Sequence, residues 1–189
     1  MMDVEFPILG SEPLPVEFAN TLYGIGEQTD YLQSAAWIDE WFTQVMGAAR
    51  HPEMGRHADE VRTLRDTVHA LLSAATQDRT PEPDLVQRLN AYAAAAPTYL
   101  SLTWPPGGPA AQLQDTAAGP AAVLGRIAAC CIELLTGPGS GDLRRCQGPG
   151  CSMFFVKAQP RRRWCHPSCG HRDRQSRYYR RHLSRGATR

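Results

Sequence analysis

The sequence predicts a mainly α-helical fold with a small β-hairpin: a helical N-terminal domain followed by a cysteine-bearing module that ends in a basic helix. Three observations predict it. Apolar residues recur at three- and four-residue steps through much of the first 135 residues. Residues 98–104 change to a two-residue period. Four cysteines then fall close together after residue 145, in a stretch whose charge is opposite in sign to everything before it.

The elements follow in order. Residues 15–23, PVEFANTLY, place Phe18 and Leu22 at helical spacing and predict a short helix or packed entry segment, with a loop after it. Ser34 is a candidate N-cap for a helix to about Met46, whose inward stripe is Ile38, Trp41, Phe42, Val45 and Met46. Gly47 and Pro52 end it. From His57 to Ala75 the residues Val61, Leu64, Val68, Leu71, Leu72 and Ala75 form one apolar face, with Glu60, Arg62, Arg65, Asp66 and His69 in the gaps. Asp84 is expected to cap the next helix, which turns Leu85, Leu89 and Tyr92 inward.

Tyr99, Leu100, Leu102 and Trp104 then alternate with Ser101 and Thr103, which predicts a half-buried strand, and residues 110–115 return as its partner. Gly119 and Pro120 open the last body helix, with a broad apolar face from Val123 to Leu135 that takes in Cys130 and Cys131 as core thiols. Residues 136–141, TGPGSG, read as a flexible linker. The boundary is placed there, giving domains 1–141 and 142–189.

Net charge is only +1, but it is unevenly spread. Residues 142–189 hold thirteen basic and two acidic residues, while 1–141 hold seven basic and seventeen acidic. A tail of +11 on a body of −10 points to a polyanionic partner for the tail and helps orient the molecule on it. The N-terminus lacks a basic region followed by a long apolar run, and the run 127–135 is short and broken by Glu133. The expectation is a cytoplasmic protein with no membrane partner, whose six cysteines are metal ligands and buried thiols.

Cys146 and Cys151 enclose four residues, Cys165 and Cys169 enclose three, and thirteen separate the pairs. Two short loops joined by a longer arm bring four thiolates to the corners of a tetrahedron, the geometry of a structural Zn²⁺ site. This predicts a treble-Cys-loop zinc module binding one ion, with Gly148, Pro149 and Gly150 making the first turn. His166 and His171 lie close enough to replace a ligand, but four cysteines already close the site. Phe154, Phe155, Val156 and Trp164 are expected as its core. About 45 residues bury too little apolar surface to fold alone, so the metal must contribute.

Residues 171–185 read as a helix. Arg174, Arg177, Arg181 and Arg185 fall within about 80° of one another at helical spacing, opposite Tyr179 and Leu183, which are expected to anchor it. With Arg172 and the loop residues Arg161, Arg162 and Arg163 they form the candidate nucleic-acid surface, because the arginine fork grips phosphates and guanine edges. The plain alternative is a solvated basic tail.

The RRRWC-x3-CGxR stretch with its C-x4-C partner and arginine tail resembles the CGNR zinc finger family. EFANT at residues 17–21, with Trp41, Leu64-Arg65 and Leu89-Asn90, resembles the ABATE domain that such proteins carry, which is described as a proposed stress-induced transcription regulator of bacteria. The resemblance implies that Cys146, Cys151, Cys165 and Cys169 are the zinc ligands. Where the family signature has Asn, this chain has His171, which leaves zinc binding intact but changes whatever that amide does.

The functions carried forward are a bacterial DNA-binding regulator, nucleoid-associated when bound to duplex DNA, and an RNA-binding or protein-interaction knuckle in which Tyr178 and Tyr179 stack on bases. A homodimer and a small-molecule effector are expected on architecture alone, with Glu17, Asn20 and Trp41 as candidate pocket residues. An enzyme is disfavoured: there is no Ser/His/Asp array, phosphate loop or open metal site, and Asp39/Glu40 and Asp59/Glu60 look like solvated helix faces.

Overall fold

The computed structural model describes residues 5–47 and 53–186, with side chains up to Arg180 except those of Leu113 and Asp115. Its core is built round its shortest α-helix. Helix α1 (Leu14–Ala19) is buried from Pro15 to Ala19. A six-residue helix cannot hold itself together in water, so its stability comes from the elements packed on it. These are chiefly α3 (Ala58–Thr76) and α5 (Gly119–Thr136). Two short strands, β1 (Leu22–Tyr23) and β2 (Thr29–Asp30), pair antiparallel after α1.

Helix α2 (Ala35–Met46) begins where expected: the Ser34 hydroxyl accepts the Trp37 N–H at 3.3 Å. Its stripe meets α1 through an aromatic cluster. Trp41 sits edge-on to Phe42 at 4.9 Å and tilted against Phe18 at 5.5 Å. A 3-10 turn (Met54–His57) leads into α3, whose Val61, Leu64, Val68, Leu71 and Leu72 are buried. Pro52 lies outside the described residues.

Four expectations for the helices of the body need correction. Arg65, assigned to the polar gaps, is 2% exposed, because Asp30 forms two hydrogen bonds with it from β2. Ala75 is exposed and Ala74 buried in its place. Helix α4 (Pro83–Ala95) starts one residue before Asp84; Pro83 takes the first helical position and Asp84 falls in the first turn without capping. Cys130 is only half-buried, while Cys131 is buried and burial pushes its thiol up to about 12.

Strands β3 (Thr98–Thr103) and β4 (Ala110–Asp115) form the predicted antiparallel hairpin, from Thr98 opposite Asp115 to Thr103 opposite Ala110. The face is reversed. Thr98, Ser101 and Thr103 are half-buried, whereas Leu100 and Leu102 are each 71% and Trp104 74% exposed. Alternation specifies that a strand has two faces, not which one finds the body.

Helix α5 is long and apolar enough, by length and composition, to cross a membrane. Here it is a core helix, with Val123, Leu124, Ile127, Ala128 and Cys131 buried. The expected linker is short and structured: after Thr136 a 3-10 turn (Ser140–Asp142) leads into β5 (Leu143–Arg145), which pairs antiparallel with β6 (Phe154–Val156). Helix α6 (Pro167–Gly186) ends the described chain. About 53% of the structure is helical and its sheets are two-stranded, the mainly α class that the periodicity predicts.

Candidate metal centre and nucleic-acid face

The C-terminal module is seated on the body by side chains from the N-terminal segment. The Asn20 amide donates to the Phe154 carbonyl at 3.0 Å and accepts the Phe154 N–H at 2.8 Å, so the body holds β6 as a neighbouring strand would. The Glu12 carboxylate accepts the Val156 N–H at 2.6 Å and pairs with Arg162 at 2.8 Å, its own side chain only 1% exposed. Glu17 orders the segment that carries Glu12, accepting N–H groups of Leu9, Gly10 and Glu12. Phe154 thereby enters the main core, where His69 meets its ring edge-on at 5.1 Å. The small core expected beside the metal is therefore divided. Phe155 and Trp164 pack with the cysteines, and Phe154 and Val156 join the body.

The cysteines stand at the ends of these elements. Cys146 follows β5 and its N–H bonds the Met153 carbonyl at 2.8 Å; Cys151 closes a turn onto the Gly148 carbonyl at 3.0 Å. Gly148 is required there, since a Cβ would lie 2.8 Å from that of Cys169, and Gly150 adopts a φ of +71°. Cys165 is set by Arg162, which donates to the carbonyls of Trp164, Val156 and Cys165 and lies 4.7 Å over the Phe155 ring. Cys169 lies in the first turn of α6, its N–H on the His166 carbonyl at 3.0 Å. The helix begins at Pro167, four residues earlier than expected, because the His166 ring nitrogen accepts the Ser168 N–H at 3.3 Å and caps it.

The four sulfurs lie within 4.8 Å of one another, with Cys151–Cys165 at 3.7 Å and Cys165–Cys169 at 3.5 Å. Four sulfurs about 2.3 Å from one zinc stand about 3.8 Å apart, so the cluster has the size of a tetrahedral site. Its electrostatics also fit a cation. Hydrogen bonds from Cys151 and Cys165, then the N–H groups of Cys165 and Gly148, pull the Cys146 thiol down to about 2. That thiolate, through its hydrogen bond, pushes Cys151 up to about 12, and Cys165 is driven upward by Cys146 and Cys151. Protons alone let one thiolate form at the expense of its neighbours. A dication lets all four ionise together. A guanidinium nitrogen of Arg172 donates to the Cys169 sulfur at 3.1 Å and adds positive charge to that cluster.

The candidate nucleic-acid residues fall into two groups. Arg162 and Arg172 turn inward, Arg162 onto Glu12 and the carbonyls of Val156, Trp164 and Cys165, and Arg172 onto the Cys169 sulfur. Arg161, Arg163, Arg174 and Arg177 are exposed, with Arg163 also bonded to Gln147 and Arg177 to Asp173. The side chains of Arg181, Leu183 and Arg185 lie outside the described residues. Tyr179, expected to anchor the helix, is instead exposed beside Tyr178, their rings edge-on at 5.9 Å. His166 and His171 are exposed and outside the four-cysteine cluster.

Of the candidate pocket residues, Glu17 lines an opening of about 300 Å³ with Glu12, Val45 and Arg126, while Asn20 bonds the Phe154 backbone and Trp41 packs on Phe18 and Phe42, its ring N–H without a partner among the described residues. Glu12 escaped sequence reasoning altogether, since an acidic residue in GSEP carries no periodic signal. Arg162 was expected on the nucleic-acid face, and here it holds Glu12 and three carbonyls.

A helical body with a four-cysteine knuckle braced beneath a basic helix defines a zinc-finger protein. Residues 12–138 match the ABATE family model, described as "Putative stress-induced transcription regulator", and residues 143–182 match the CGNR zinc finger. The chain belongs to the ABATE family and carries a CGNR zinc finger. Neither description is that of an enzyme class. A search of the curated proteins found no match. The signature runs here as Cys169-Gly170-His171-Arg172, in which the arginine donates to the Cys169 sulfur and position 171 is exposed.

Proposed function

We propose that the protein is a cytoplasmic, zinc-dependent bacterial regulator that binds duplex DNA through α6. One Zn²⁺ held by Cys146, Cys151, Cys165 and Cys169 is structural, because four thiolates leave no open position at which water could be activated. Two functional units, residues 1–141 and 142–189, share one core through Phe154. The observation that carries this reading is the placement of Cys169 in the first turn of α6. The metal then fixes the direction of a helix that presents Arg174 and Arg177, with Arg161 and Arg163 on the adjoining loop. Arg181 and Arg185 extend the row by helical spacing.

Four or more phosphate contacts imply that affinity for a labelled duplex falls about 100-fold between roughly 50 and 200 mM salt. Arg174→Gln with Arg177→Gln should weaken binding and flatten that slope by about two units in fluorescence anisotropy. Affinity indifferent to salt would contradict the reading. The exposed Tyr178–Tyr179 pair favours a second reading, stacking on single-stranded bases. Preference for single-stranded RNA over duplex at one salt concentration would select it.

The dimer of this reading forms through the β3–β4 hairpin. An isolated two-stranded hairpin is marginal in water, and this one exposes Leu100, Leu102 and Trp104 without a charged residue between Thr98 and Gln114 to guard its edges. Sedimentation should show a dimer at micromolar concentration that Leu102→Glu with Trp104→Glu converts to monomer. A monomeric native chain would rule it out.

A further inference from the structure

We propose that the cleft between the C-terminal ends of α3 and α5 and the N-terminal half of α4 binds a small amphipathic organic acid, with its apolar body inside and its carboxylate on Arg79. This gives the effector of the reading above a site and a chemical class. It lies away from Glu17, Asn20 and Trp41.

The cavity has a volume of about 370 Å³ and adjoins a second depression, with which it shares Pro81, Val86 and Asn90. That size falls in the range of small-molecule sites, about 300–1,000 Å³. Its wall is aliphatic: Leu71 from α3, Leu89 from α4, and Ile132 and Leu135 from α5. The helices close on one another elsewhere. Here, past the end of α3, the turn through Asp78 holds them apart: Asp78 takes a left-handed φ of +53°, and the Arg79 N–H bonds back to the Ala74 carbonyl at 3.0 Å. Ile132 and Leu135 are left half-buried, and Val86 is exposed at the mouth.

The charge at the mouth selects the ligand. Arg79 is the one charged residue among those lining the cleft, all of which are described. Its guanidinium has no hydrogen-bond or ion-pair partner among the described residues. In a body of net −10, a cation beside an apolar cavity with no carboxylate in its lining complements a single negative charge. The Asn90 amide, on the same rim, offers a further donor. An aliphatic wall with one anion anchor suits a monocarboxylate carrying a hydrocarbon body. A polar or multiply charged metabolite would leave that wall and its own groups unsatisfied.

The test uses the full-length, zinc-loaded chain without nucleic acid. The dye 1-anilinonaphthalene-8-sulfonate, an apolar body with one anionic group, reports occupancy by fluorescence, and decanoate and decanol compete with it. Decanoate should displace the dye at one site per chain and bind about tenfold more tightly than decanol, as a charge-assisted hydrogen bond implies. Arg79→Gln should bring decanoate down to the affinity of decanol and leave decanol unchanged. Ala75→Phe, which fills the cleft from α3, should abolish both. The proposal is overturned if decanoate does not compete, if Arg79→Gln leaves its affinity intact, or if Ala75→Phe, folded by circular dichroism, still binds it. Because no nucleic acid is present, failure here leaves the DNA-binding reading standing, and a chain that binds decanoate but not DNA leaves the cleft standing.

Discussion

Cys165→Ser is expected to reduce bound zinc from about one ion per chain to near none and to unfold the knuckle while the helical body survives. Serine offers a harder oxygen whose proton is not lost near neutral pH, so three thiolates remain and the tetrahedron opens. Apparent zinc binding in small finger modules is worth about 10–16 kcal/mol, far more than Phe155 and Trp164 can supply by burial. The break should fall inside the module rather than at residue 141. Hairpin β5–β6 is held by Asn20 and Glu12 and by Phe154 in the main core, none of which needs the metal. Hydrogen exchange should therefore show protection lost from about residue 157 onward and kept in α1, α3 and β6. Zinc content measured by emission spectroscopy supplies the second readout. A variant that keeps a full complement of zinc, or protection throughout α6, would contradict the four-cysteine site. Loss of duplex binding should accompany loss of zinc, since α6 would no longer have a fixed direction.

What the sequence disclosed and what it withheld divide along a physical line. Elements whose signal is local were legible: the Ser34 cap, the buried stripe of α3, the change of period at residue 98, and four cysteines at ligand spacing. Each rests on residues within about 20 positions of one another. Contacts between distant segments were not. Asn20 lies 134 residues from Phe154 and Glu12 144 from Val156, and no periodicity connects them. The same limit explains the arginines. Arg161, Arg162 and Arg163 are identical in sequence character, yet Arg162 alone faces Glu12, the Phe155 ring and three carbonyls. The cysteine geometry could be read from spacing because a metal demands few arrangements of its ligands. An arginine run admits many.

Arg65→Leu is expected to destabilise the body by about 1.5–3 kcal/mol, the loss of charge-assisted hydrogen bonds to an Asp30 carboxylate whose side chain is 34% exposed and so partly screened by water. In the native chain the Arg65 fork holds both Asp30 oxygens at 2.9 and 2.8 Å, its Nε meets Asp66 at 2.6 Å, and it reaches the Thr21 hydroxyl at 3.3 Å. Arg65→Lys should recover only part of the loss, because an ammonium cannot grip two oxygens in one plane. A pH series separates this ion pair from simple loss of volume. Burial works to raise the Asp30 carboxyl, but hydrogen bonds from Arg65 and the Leu32 N–H, with the charges of Arg65 and Arg62, hold it below its ordinary 3.8. A depressed carboxyl contributes its stability fully above the unfolded value and loses it as pH falls through the folded one. The native chain should therefore shed this increment below about pH 4, and Arg65→Leu should lack that part of the acid transition in urea unfolding. Equal acid sensitivity in the two chains, or a loss under about 1 kcal/mol at pH 7, would show that the pair does not act as described. The consequence reaches the finger. Asp30 belongs to the β1–β2 ribbon, and the loop between those strands bridges Ile25 to Cys151, with the Gly26 N–H on the Gly150 carbonyl at 3.2 Å. Loosening Arg65 thus frees the loop that seats the first cysteine turn, so the variant should also lose zinc to a chelator faster than the native chain.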